Sequence, residues 1–460
     1  MNNIHIKNYK KIHMIGIGGS SMSGLALMLN DLGYIVTGSD ESNSYTLSAL
    51  HEKGIKTIVG HDPLNLGDAE LVVYTAAVPE INPERIAATN KGIPQIERKI
   101  LLGQLMENYD KSICICGTHG KTTTTGMVAK TLLDCGFNPS VHIGGSLGSI
   151  GGSTRLGSLD YFVAEACEFN ASFFSMYPDI AIVLNIKEDH LDFYKDIDDI
   201  ENSFRTFLAN LSEDGIAIGC GDDERVKKLL LEKKNYVTFG FEKDNDCYPI
   251  NIEFLEDACA RFDIVYKGKI IANLKLNVPG RVQIIDALAA FLTAYILGAK
   301  CDEIVASLSH FEGVKRRFEH TGTYEGVKVY NDYGHNPEET HQVVETANML
   351  PHNKLWVVIQ PHTFTRVKKF FNDYVHCADL ADKILFTDIF ASREKDPGDI
   401  SSNDIVLAMK ERGLDAYYTP SFEDALKLLV ENWEEGDIVI TLGGGDINKL
   451  NIAIDDYFKE

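Results

Sequence analysis

A glycine-rich segment with one lysine and a run of threonines follows an apolar stretch near the middle of the chain. It reads G-T-H-G-K-T-T-T-T, from Gly117 to Thr125, directly after S-I-C-I-C. A turn of this kind between a strand and a helix presents backbone N–H groups at the positive end of the helix, where a phosphate binds favourably. We predict a loop that binds the phosphates of a nucleoside triphosphate, made of Gly117, Thr118, His119, Gly120, Lys121, Thr122 and Thr123.

Lys121 supplies a positive charge in this loop. We expect it to be exposed and to reach the β- and γ-phosphates of the nucleotide, while a hydroxyl group of Thr122 or Thr123 binds Mg²⁺. The loop departs from the usual P-loop, because two residues rather than four separate Gly117 from Gly120. The alternative is a structural glycine turn beside a surface lysine.

A second glycine-rich turn, G-I-G-G-S-S-M-S-G, lies between Gly16 and Gly24. A dinucleotide-binding fingerprint fits poorly, because its third glycine would fall on Ser21. The turn can still bind a diphosphate through its serine hydroxyl groups, and Asp40 is placed to accept hydrogen bonds from a ribose or a base. A purely structural turn is the alternative. Two phosphate-type loops predict two phosphorylated ligands, a nucleoside triphosphate and a nucleotide-linked substrate.

Polar side chains follow two further apolar runs. Glu165 comes directly after Y-F-V-A, and Asn185, His190 and Asp192 follow I-A-I-V-L. In α/β proteins the carboxyl ends of the strands carry much of the chemistry. Glu165 and His190 could therefore share one Mg²⁺ ion, although a glutamate at a strand end also serves as a helix cap or an ion-pair partner.

Three blocks of alternating strand and helix patterns position these residues. They predict an α/β fold with a Rossmann-like domain over 1–107, a central P-loop ATPase-like domain with a mostly parallel sheet over 108–313, and a second Rossmann-like domain over 314–460. The central block includes a strand-rich section from about 236 to 278. We expect the third domain to be mobile, with a hinge near 313–319.

Composition limits the classes of function. The chain has 460 residues, which is too long for a single domain with one hydrophobic core. Its hydrophobic fraction of 44% is ordinary for a globular protein. Its formal net charge of -23 opposes binding to nucleic acid and to anionic membranes. We expect a cytoplasmic protein without membrane insertion, since the sequence has neither a signal-peptide pattern nor a long apolar run. The nine cysteines lack C-x-x-C spacing, and Cys114 and Cys116 fit small buried residues.

Several motifs occur in an order that resembles the Mur ligases of peptidoglycan synthesis. They are G-T-H-G-K-T-T-T-T, E-A-C-E, N-I-x-x-D-H-L-D, G-V-K-R-R-F-E and Y-N-D-Y-G-H-N-P-E-E. The N-terminal H-M-I-G-I-G-G-S-S-M-S-G-L-A is similar to the uridine-nucleotide loop of that family, so the resemblance covers nearly the whole chain. The folylpolyglutamate synthases share the central loop but not the N-terminal one.

The resemblance implies roles for residues in all three blocks. It assigns Mg²⁺ to Glu165 and His190 together with Thr122, nucleotide phosphate to Arg317, and the ATP side of the third domain to Asp332 and His335. Tyr333 would lie between these two residues. His362 and Arg366 would help to hold the incoming amino acid. The uridine nucleotide would be bound by Gly18, Gly19, Ser20, Ser21, Met22, Ser23, Ser39, Asp40 and Thr75.

The implied activity joins L-alanine to the carboxylate of UDP-N-acetylmuramate, with ATP and Mg²⁺, through an acyl phosphate. We expect a monomer or a homodimer, and His335 is a candidate for the base that deprotonates the amine. Two alternatives stay open. One is a related ligase that adds a preformed peptide to UDP-N-acetylmuramate, and the other is a nucleotide-binding regulatory protein without ligase activity.

One segment departs from the family pattern. The family usually reads R-H-N-x-x-N-A-L-A-A where this chain has R-V-Q-I-I-D-A-L-A-A. Val282, Gln283 and Asp286 therefore replace residues that the resemblance places near adenine. Gln283 can both donate and accept a hydrogen bond, so we expect it to bind the base. Some relatives carry arginine at the position of Thr363, next to the amino-acid site.

Overall fold

The computed structural model describes residues 4–190 and 193–459 and divides into two compact units. The first comprises Met1–Asp246 with Ala289–Ile304, and the second comprises Cys247–Leu288 with Val305–Glu460. The predicted domain boundaries after residues 107 and 313 stay predictions.

The first unit begins with a five-stranded parallel sheet. Its strands are β1 (Lys11–Ile15), β2 (Ile35–Asp40), β3 (Lys56–Val59), β4 (Leu71–Tyr74) and β5 (Gln95–Glu97), in the order β3-β2-β1-β4-β5. Helices α1 (Ser20–Asp31), α2 (Tyr45–Glu52), α3 (Pro83–Lys91) and α4 (Arg98–Met106) connect or follow them. Because the strands are parallel, the turn after β1 lies at the same sheet edge as the ends of β2 and β4.

The first unit contains most of a second sheet. Its strands are β6 (Lys111–Cys116), β7 (Ser140–Leu147), β8 (Gly152–Arg155), β9 (Tyr161–Glu165), β10 (Ile180–Val183), β11 (Ile216–Cys220) and β12 (Tyr236–Phe239). They follow the order β12-β11-β10-β6-β9-β7-β8, and only the β7–β8 pair is antiparallel. The helices are α5 (Lys121–Asp134), α6 (Ile197–Ala209) and α7 (Glu224–Leu230).

The strands β13 (Cys247–Phe254), β14 (Cys259–Tyr266) and β15 (Lys269–Pro279) form an antiparallel meander, and α8 (Val282–Ile296) and α9 (Cys301–Ser309) follow it. The last sheet has the order β16-β17-β21-β18-β19-β20 and is parallel except at its β16 edge. Its strands are β16 (Glu319–Tyr324), β17 (Val327–Asp332), β18 (Leu355–Ile359), β19 (Lys383–Phe386), β20 (Ala416–Tyr418) and β21 (Ile438–Leu442). Its helices are α10 (Pro337–Asn348), α11 (Phe364–Lys369), α12 (Phe371–His376), α13 (Ser402–Glu411), α14 (Phe422–Asn432) and α15 (Asn448–Lys459).

The apolar runs of the sequence form the central strands of these sheets. All five residues of β18 are buried, as are the last five residues of β6, which is expected for parallel strands covered by helices on both faces. Cys114 and Cys116 are fully buried, which confirms their prediction as small core residues. Within residues 4–190 and 193–459, no helix combines the length and the apolar character that crossing a membrane requires.

Candidate active site

The central glycine loop lies between the end of β6 and the start of α5. Gly117 and Gly120 have φ values of +149° and +84°, which side chains rarely adopt, and a Cβ atom on Gly117 would lie 2.9 Å from Cβ of Leu184. The amide of His119 donates to Oδ1 of Asn185 at 2.9 Å, so the polar residue after β10 braces the loop. No side chain caps the N-terminus of α5, and its geometry therefore fits a bound phosphate group.

Lys121 is not exposed, and this corrects the expectation from the sequence. Its side chain is 13% exposed, and its Nζ lies 2.9 Å from Oε2 of Glu168. Nζ also donates to the carbonyl oxygens of Gly117 and Thr118, at 2.6 and 2.9 Å. Burial alone would lower the pKa of Lys121, but the negative charge of Glu168 outweighs it and raises the pKa above its usual value. The lysine therefore stays charged inside the loop.

Glu165 lies beside the first turn of α5. It ends β9, next to β6 in the sheet, and its carboxylate accepts hydrogen bonds from Oγ1 of Thr122 at 3.0 Å and from the amide of Gly144 at 2.8 Å. A carboxylate and a hydroxyl group are oxygen ligands of the kind that Mg²⁺ prefers. This pair fits the predicted metal role of Thr122 and Glu165. Thr122 and Thr123 are both buried, and it is the hydroxyl group of Thr122 that contacts Glu165.

His190, the third predicted metal ligand, lies close to Glu168. Its Nε2 is 3.9 Å from Oε1 of Glu168, and its ring contacts Phe169 with centroids 4.7 Å apart. Among residues 4–190 and 193–459, no cluster of three or more His, Cys, Asp or Glu side chains is arranged to hold a metal ion. Asp192 lies outside the described residues. The metal role of His190 stays a prediction.

Glu168 is a residue of this site that the sequence analysis did not single out. Its side chain is 3% exposed, and it lies against both Lys121 and His190. The second glutamate of the E-A-C-E motif was the available signal. It could not be interpreted, because the contact partners lie 47 residues before it and 22 residues after it in the chain.

The first glycine loop is held by the end of β2. Gly16 has a φ of +80°, and its amide donates to the carbonyl oxygen of Ser39 at 2.8 Å. The amide of Gly18 donates to Oδ2 of Asp40 at 2.8 Å, so this carboxylate binds the loop itself. A Cβ atom on Gly16 would lie 2.8 Å from the methyl group of Thr75. The structure thus brings four of the predicted residues together around one turn: Gly18, Ser39, Asp40 and Thr75.

Ser39 is fully buried beneath this loop. Its hydroxyl group donates to Oε2 of Glu84 at 2.6 Å, and Glu84 also accepts from Asn65 at 2.6 Å and lies 3.3 Å from Nε2 of His13. Burial would raise the pKa of Glu84, but the hydrogen bonds from His13, Ser39 and Asn65 lower it to about 2. A buried carboxylate network therefore supports the loop, and a contact of Ser39 with the nucleotide stays a prediction.

The serines of the turn differ in exposure. Gly19 and Ser20 are exposed at the start of α1, whereas Met22 and Ser23 are buried. The hydroxyl group of Ser23 donates to the carbonyl oxygen of Ser20 at 3.0 Å, and Oγ of Ser21 contacts Arg98 and His142. The exposed residues and the uncapped helix end are the parts of this turn open to a ligand.

A third polar group lies in the second unit, where the neighbouring strands β17, β21 and β18 end. Asp332 ends β17, and its two oxygens accept from the amides of Gly334 at 2.6 Å and Phe318 at 2.7 Å. Burial raises the pKa of Asp332 above its usual value, against the charge of Arg317 and these two amides. The carboxylate orders the segment that precedes β16 as well as the turn that follows β17.

The residues predicted for amino-acid binding lie together in this group. The ring of His335 is 5.5 Å from that of Tyr333 and 5.2 Å from that of His362, measured between centroids. Nη1 of Arg366 lies 3.1 Å from Nδ1 of His362. Thr363 has a φ of +63°, unusual for a β-branched residue, and its amide donates to the carbonyl oxygen of Phe390 at 2.9 Å.

The two arginines of G-V-K-R-R-F-E make different contacts in the structure. Arg316 donates to the carbonyl oxygen of Gly443 at 2.8 Å and lies over the ring of Tyr333 at 4.8 Å, so it fixes the backbone. The guanidinium group of Arg317 also lies over the ring of Tyr333, 5.2 Å from its centroid. It makes no hydrogen bond to a residue within the described ranges. Arg317 therefore keeps donors that a phosphate group could use, and its contact with nucleotide phosphate stays a prediction.

The N-terminal part of α8 contains the residues that depart from the family pattern. Oε1 of Gln283 is buried and lacks a hydrogen-bond partner among the described residues. Asp286 is buried, and Val282 is exposed. An amide oxygen in this state can accept a hydrogen bond from an amino group of a ligand. Binding of adenine by Gln283 stays a prediction.

A three-domain α/β fold with two glycine-rich loops is the architecture of the Mur ligases, and this chain belongs to the Mur ligase family. Three family models match successive parts of it: the Mur ligase family catalytic domain at residues 11–110, the Mur ligase middle domain at 115–294, and the Mur ligase glutamate ligase domain at 316–445. The resemblance noted in the sequence is confirmed.

Within the family, the chain is similar over nearly its full length to proteins named UDP-N-acetylmuramate--L-alanine ligase. It is 42% identical to that of Caldanaerobacter subterraneus subsp. tengcongensis, over 97% of both chains. It is 43% identical to that of Acetivibrio thermocellus, over 96% of this chain and 95% of the relative.

Solved structures agree with this family assignment. The UDP-N-acetylmuramate-alanine ligase of Thermotoga maritima superposes with a TM-score of 0.84, at 27% identity, over 98% of this chain and 99% of the other. A murein peptide ligase from Psychrobacter arcticus shares the fold, with a TM-score of 0.71 at 22% identity over 98% of both chains. A ligase of the same fold from Thermotoga maritima was crystallised with ADP.

Proposed function

We propose that this chain is an ATP-dependent ligase that joins L-alanine to the carboxylate of UDP-N-acetylmuramate during the synthesis of peptidoglycan precursors. The observation that supports it most strongly is the loop from Gly117 to Thr123, with Lys121 inside it and Glu165 beside Thr122. The full-length similarity to ligases named for this reaction supports the choice of substrates.

The chemistry explains why a phosphate-binding loop is needed. A carboxylate does not react with an amine in water, because its oxygen is a poor leaving group. Attack of the muramoyl carboxylate on the γ-phosphorus of ATP gives an acyl phosphate and ADP. The neutral amine of alanine then attacks the carbonyl carbon. The bond between this carbon and the bridging oxygen breaks, and inorganic phosphate leaves with that oxygen. No covalent bond to the enzyme is required.

The protein contributes position and charge to the first step. The N-terminus of α5 and the ammonium group of Lys121 would hold the phosphates, and Thr122 with Glu165 would hold the metal ion, with His190 as a further ligand. Mg²⁺, when bound, would neutralise charge on the transferring phosphoryl group. Arg317 would add a guanidinium group to the phosphates.

The second step requires an amino acid bound with a neutral amine. His362 and Arg366 are in contact and offer a positively charged group to the carboxylate of alanine. His335 lies within the same aromatic group and is the candidate base. The altered residue Thr363 lies next to His362 and would change the contacts made to the amino acid.

Two alternatives are less well supported. A ligase that adds a preformed peptide is represented by a Neisseria meningitidis structure, 27% identical over 67% of this chain, whereas the alanine-named relatives reach 41–43% identity over 95–97%. A regulatory protein without ligase activity is disfavoured, because the chain retains Lys121 in the loop and a contact between Thr122 and Glu165 beside it.

Phosphate release tests this proposal directly. The enzyme would be supplied with ATP, Mg²⁺ and UDP-N-acetylmuramate, and with one of L-alanine, glycine, L-serine or a tripeptide that begins with L-alanine. We expect the highest kcat/KM for L-alanine. Faster release with the tripeptide would support the alternative ligase, and the absence of release with every acceptor would contradict the proposal.

A further inference from the structure

A chain of polar contacts joins the first glycine loop to the β7–β8 hairpin. Nη1 of Arg98 donates to Oγ of Ser21 at 2.9 Å, and Oγ of Ser21 lies 2.9 Å from Nε2 of His142. Nδ1 of His142 lies 3.3 Å from Oγ1 of Thr154. Ser21 belongs to the first turn of α1, and Arg98 begins α4. Four elements therefore meet around one serine hydroxyl group.

His142 occupies the centre of this chain as a neutral side chain. It is 4% exposed, and burial, followed by the charge of Arg98, lowers the pKa of His142 to about 3. A neutral imidazole has one donor and one acceptor nitrogen, so it can serve both Ser21 and Thr154. In either tautomer the oxygen of Ser21 keeps a lone pair for the guanidinium group of Arg98.

The guanidinium group of Arg98 keeps unused N–H donors beside the first glycine loop. Its bond to Ser21 uses one of five N–H groups, and within the described ranges it has no carboxylate partner. The neighbouring helix α1 begins at Ser20, and its N-cap residue, Gly19, provides no side-chain cap. A guanidinium group and an uncapped helix N-terminus both attract phosphate oxygens, and here they flank the same turn.

We infer that His142 is a positioning residue that acts through Ser21 to hold Arg98 at the first loop, and that Arg98 binds the diphosphate of the uridine nucleotide. The inference rests on the proposed function, from which it takes its ligand. It gives Ser21 the role of orienting Arg98, in addition to its predicted place near the substrate. It also gives the central domain a part in binding a ligand of the N-terminal domain.

Calorimetric titration of the full chain with UDP and with uridine separates the phosphate contact from the contacts to the nucleoside. Arg98→Gln should weaken UDP binding about 10- to 100-fold, as expected for the loss of a charge-assisted hydrogen bond, and leave uridine and ATP binding unchanged. Arg98→Lys, which keeps the charge without the planar fork, should give an intermediate affinity. Lys99→Gln is the matched control, since Lys99 is paired with Glu97.

His142 is tested through the same readouts. His142→Leu should raise KM for UDP-N-acetylmuramate about 10-fold, with KM for ATP unchanged, because Arg98 loses its support. His142→Gln keeps a donor and an acceptor and should restore most of the affinity. A melting curve for each variant identifies any that fail to fold.

Two outcomes would overturn the inference: unchanged UDP affinity in folded Arg98→Gln, or equal losses of UDP and uridine binding in that variant. Equal effects of His142→Leu and His142→Gln would overturn the positioning role. A wild-type enzyme that turned over no substrate and bound no UDP would instead contradict the proposed function.

Discussion

At the scale of single residues, Lys121 has a structural role beside its proposed catalytic one. It forms an ion pair with Glu168 in which the side chains are 13% and 3% exposed. Lys121→Ala should abolish ADP formation, and it should also cost about 3–5 kcal/mol of unfolding free energy, because it leaves a buried carboxylate without its partner. Urea unfolding and an ADP assay measure the two effects.

A double variant separates these roles. In Lys121→Ala/Glu168→Gln the buried charge is gone as well, so most of the lost stability should return while ADP formation stays absent. Normal turnover in either variant would refute the assignment of Lys121. A double variant no more stable than Lys121→Ala would refute the energetic importance of the pair.

Glu84 makes a separate prediction about acid stability. Its pKa is lowered from the ordinary value to about 2, so the unfolded chain takes up the proton first as the pH falls. The stability that it contributes, up to about 3 kcal/mol, is therefore fully present above about pH 4.5 and is lost as the pH falls towards 2.

The comparison of Glu84→Gln with wild type across this range measures the contribution. The difference in unfolding free energy should be largest near neutral pH and should shrink below about pH 4.5. The exposed Glu80→Gln is the control and should follow wild type throughout. A difference that does not vary with pH would show that the carboxylate charge of Glu84 is unimportant.

At the scale of elements, the close approach of α1 to β8 positions the first loop. A Cβ atom on Gly24 would lie 1.9 Å from Oγ1 and 2.8 Å from Cβ of Thr154, so the helix and the strand can approach only with glycine at this position. Gly24→Ala should lower the melting temperature and raise KM for UDP-N-acetylmuramate, although alanine is the better helix former, because overpacking costs about 1–3 kcal/mol.

Gly148 in the same hairpin region provides the matched control. A Cβ atom there would meet nothing within 4 Å, and its φ lies outside the left-handed range. Gly148→Ala should therefore leave both the melting temperature and KM unchanged. Similar behaviour of the two alanine variants would contradict the importance of the contact between α1 and β8.

At the scale of the whole molecule, the sequence predicted features that depend on local patterns better than features that depend on long-range contacts. The alternation of apolar runs and glycine turns predicted the strands that hold both loops, since parallel strands buried on two faces leave a clear signal. The exposure of Lys121 was predicted wrongly, because its partner Glu168 belongs to another strand end. The arrangement of Arg98, Ser21 and His142 left no local signal, since the chain separates these residues by 77 and 44 positions.

The overall charge of -23 gives these local groups added importance. Both proposed nucleotide substrates are anions, so the field of the whole chain does not favour their approach. Binding must therefore depend on local donors, and the donors proposed for this role are the helix N-termini and the side chains of Lys121, Arg98 and Arg317.

Oxygen transfer tests the central claim, activation of a carboxylate as an acyl phosphate. UDP-N-acetylmuramate labelled with ¹⁸O in its carboxylate would be turned over with ATP and L-alanine, and the released phosphate analysed by mass spectrometry. We predict one labelled oxygen in each phosphate, because the carboxylate oxygen stays with phosphorus when the amine displaces it. Unlabelled phosphate, formed at the same rate as the amide product, would contradict this account.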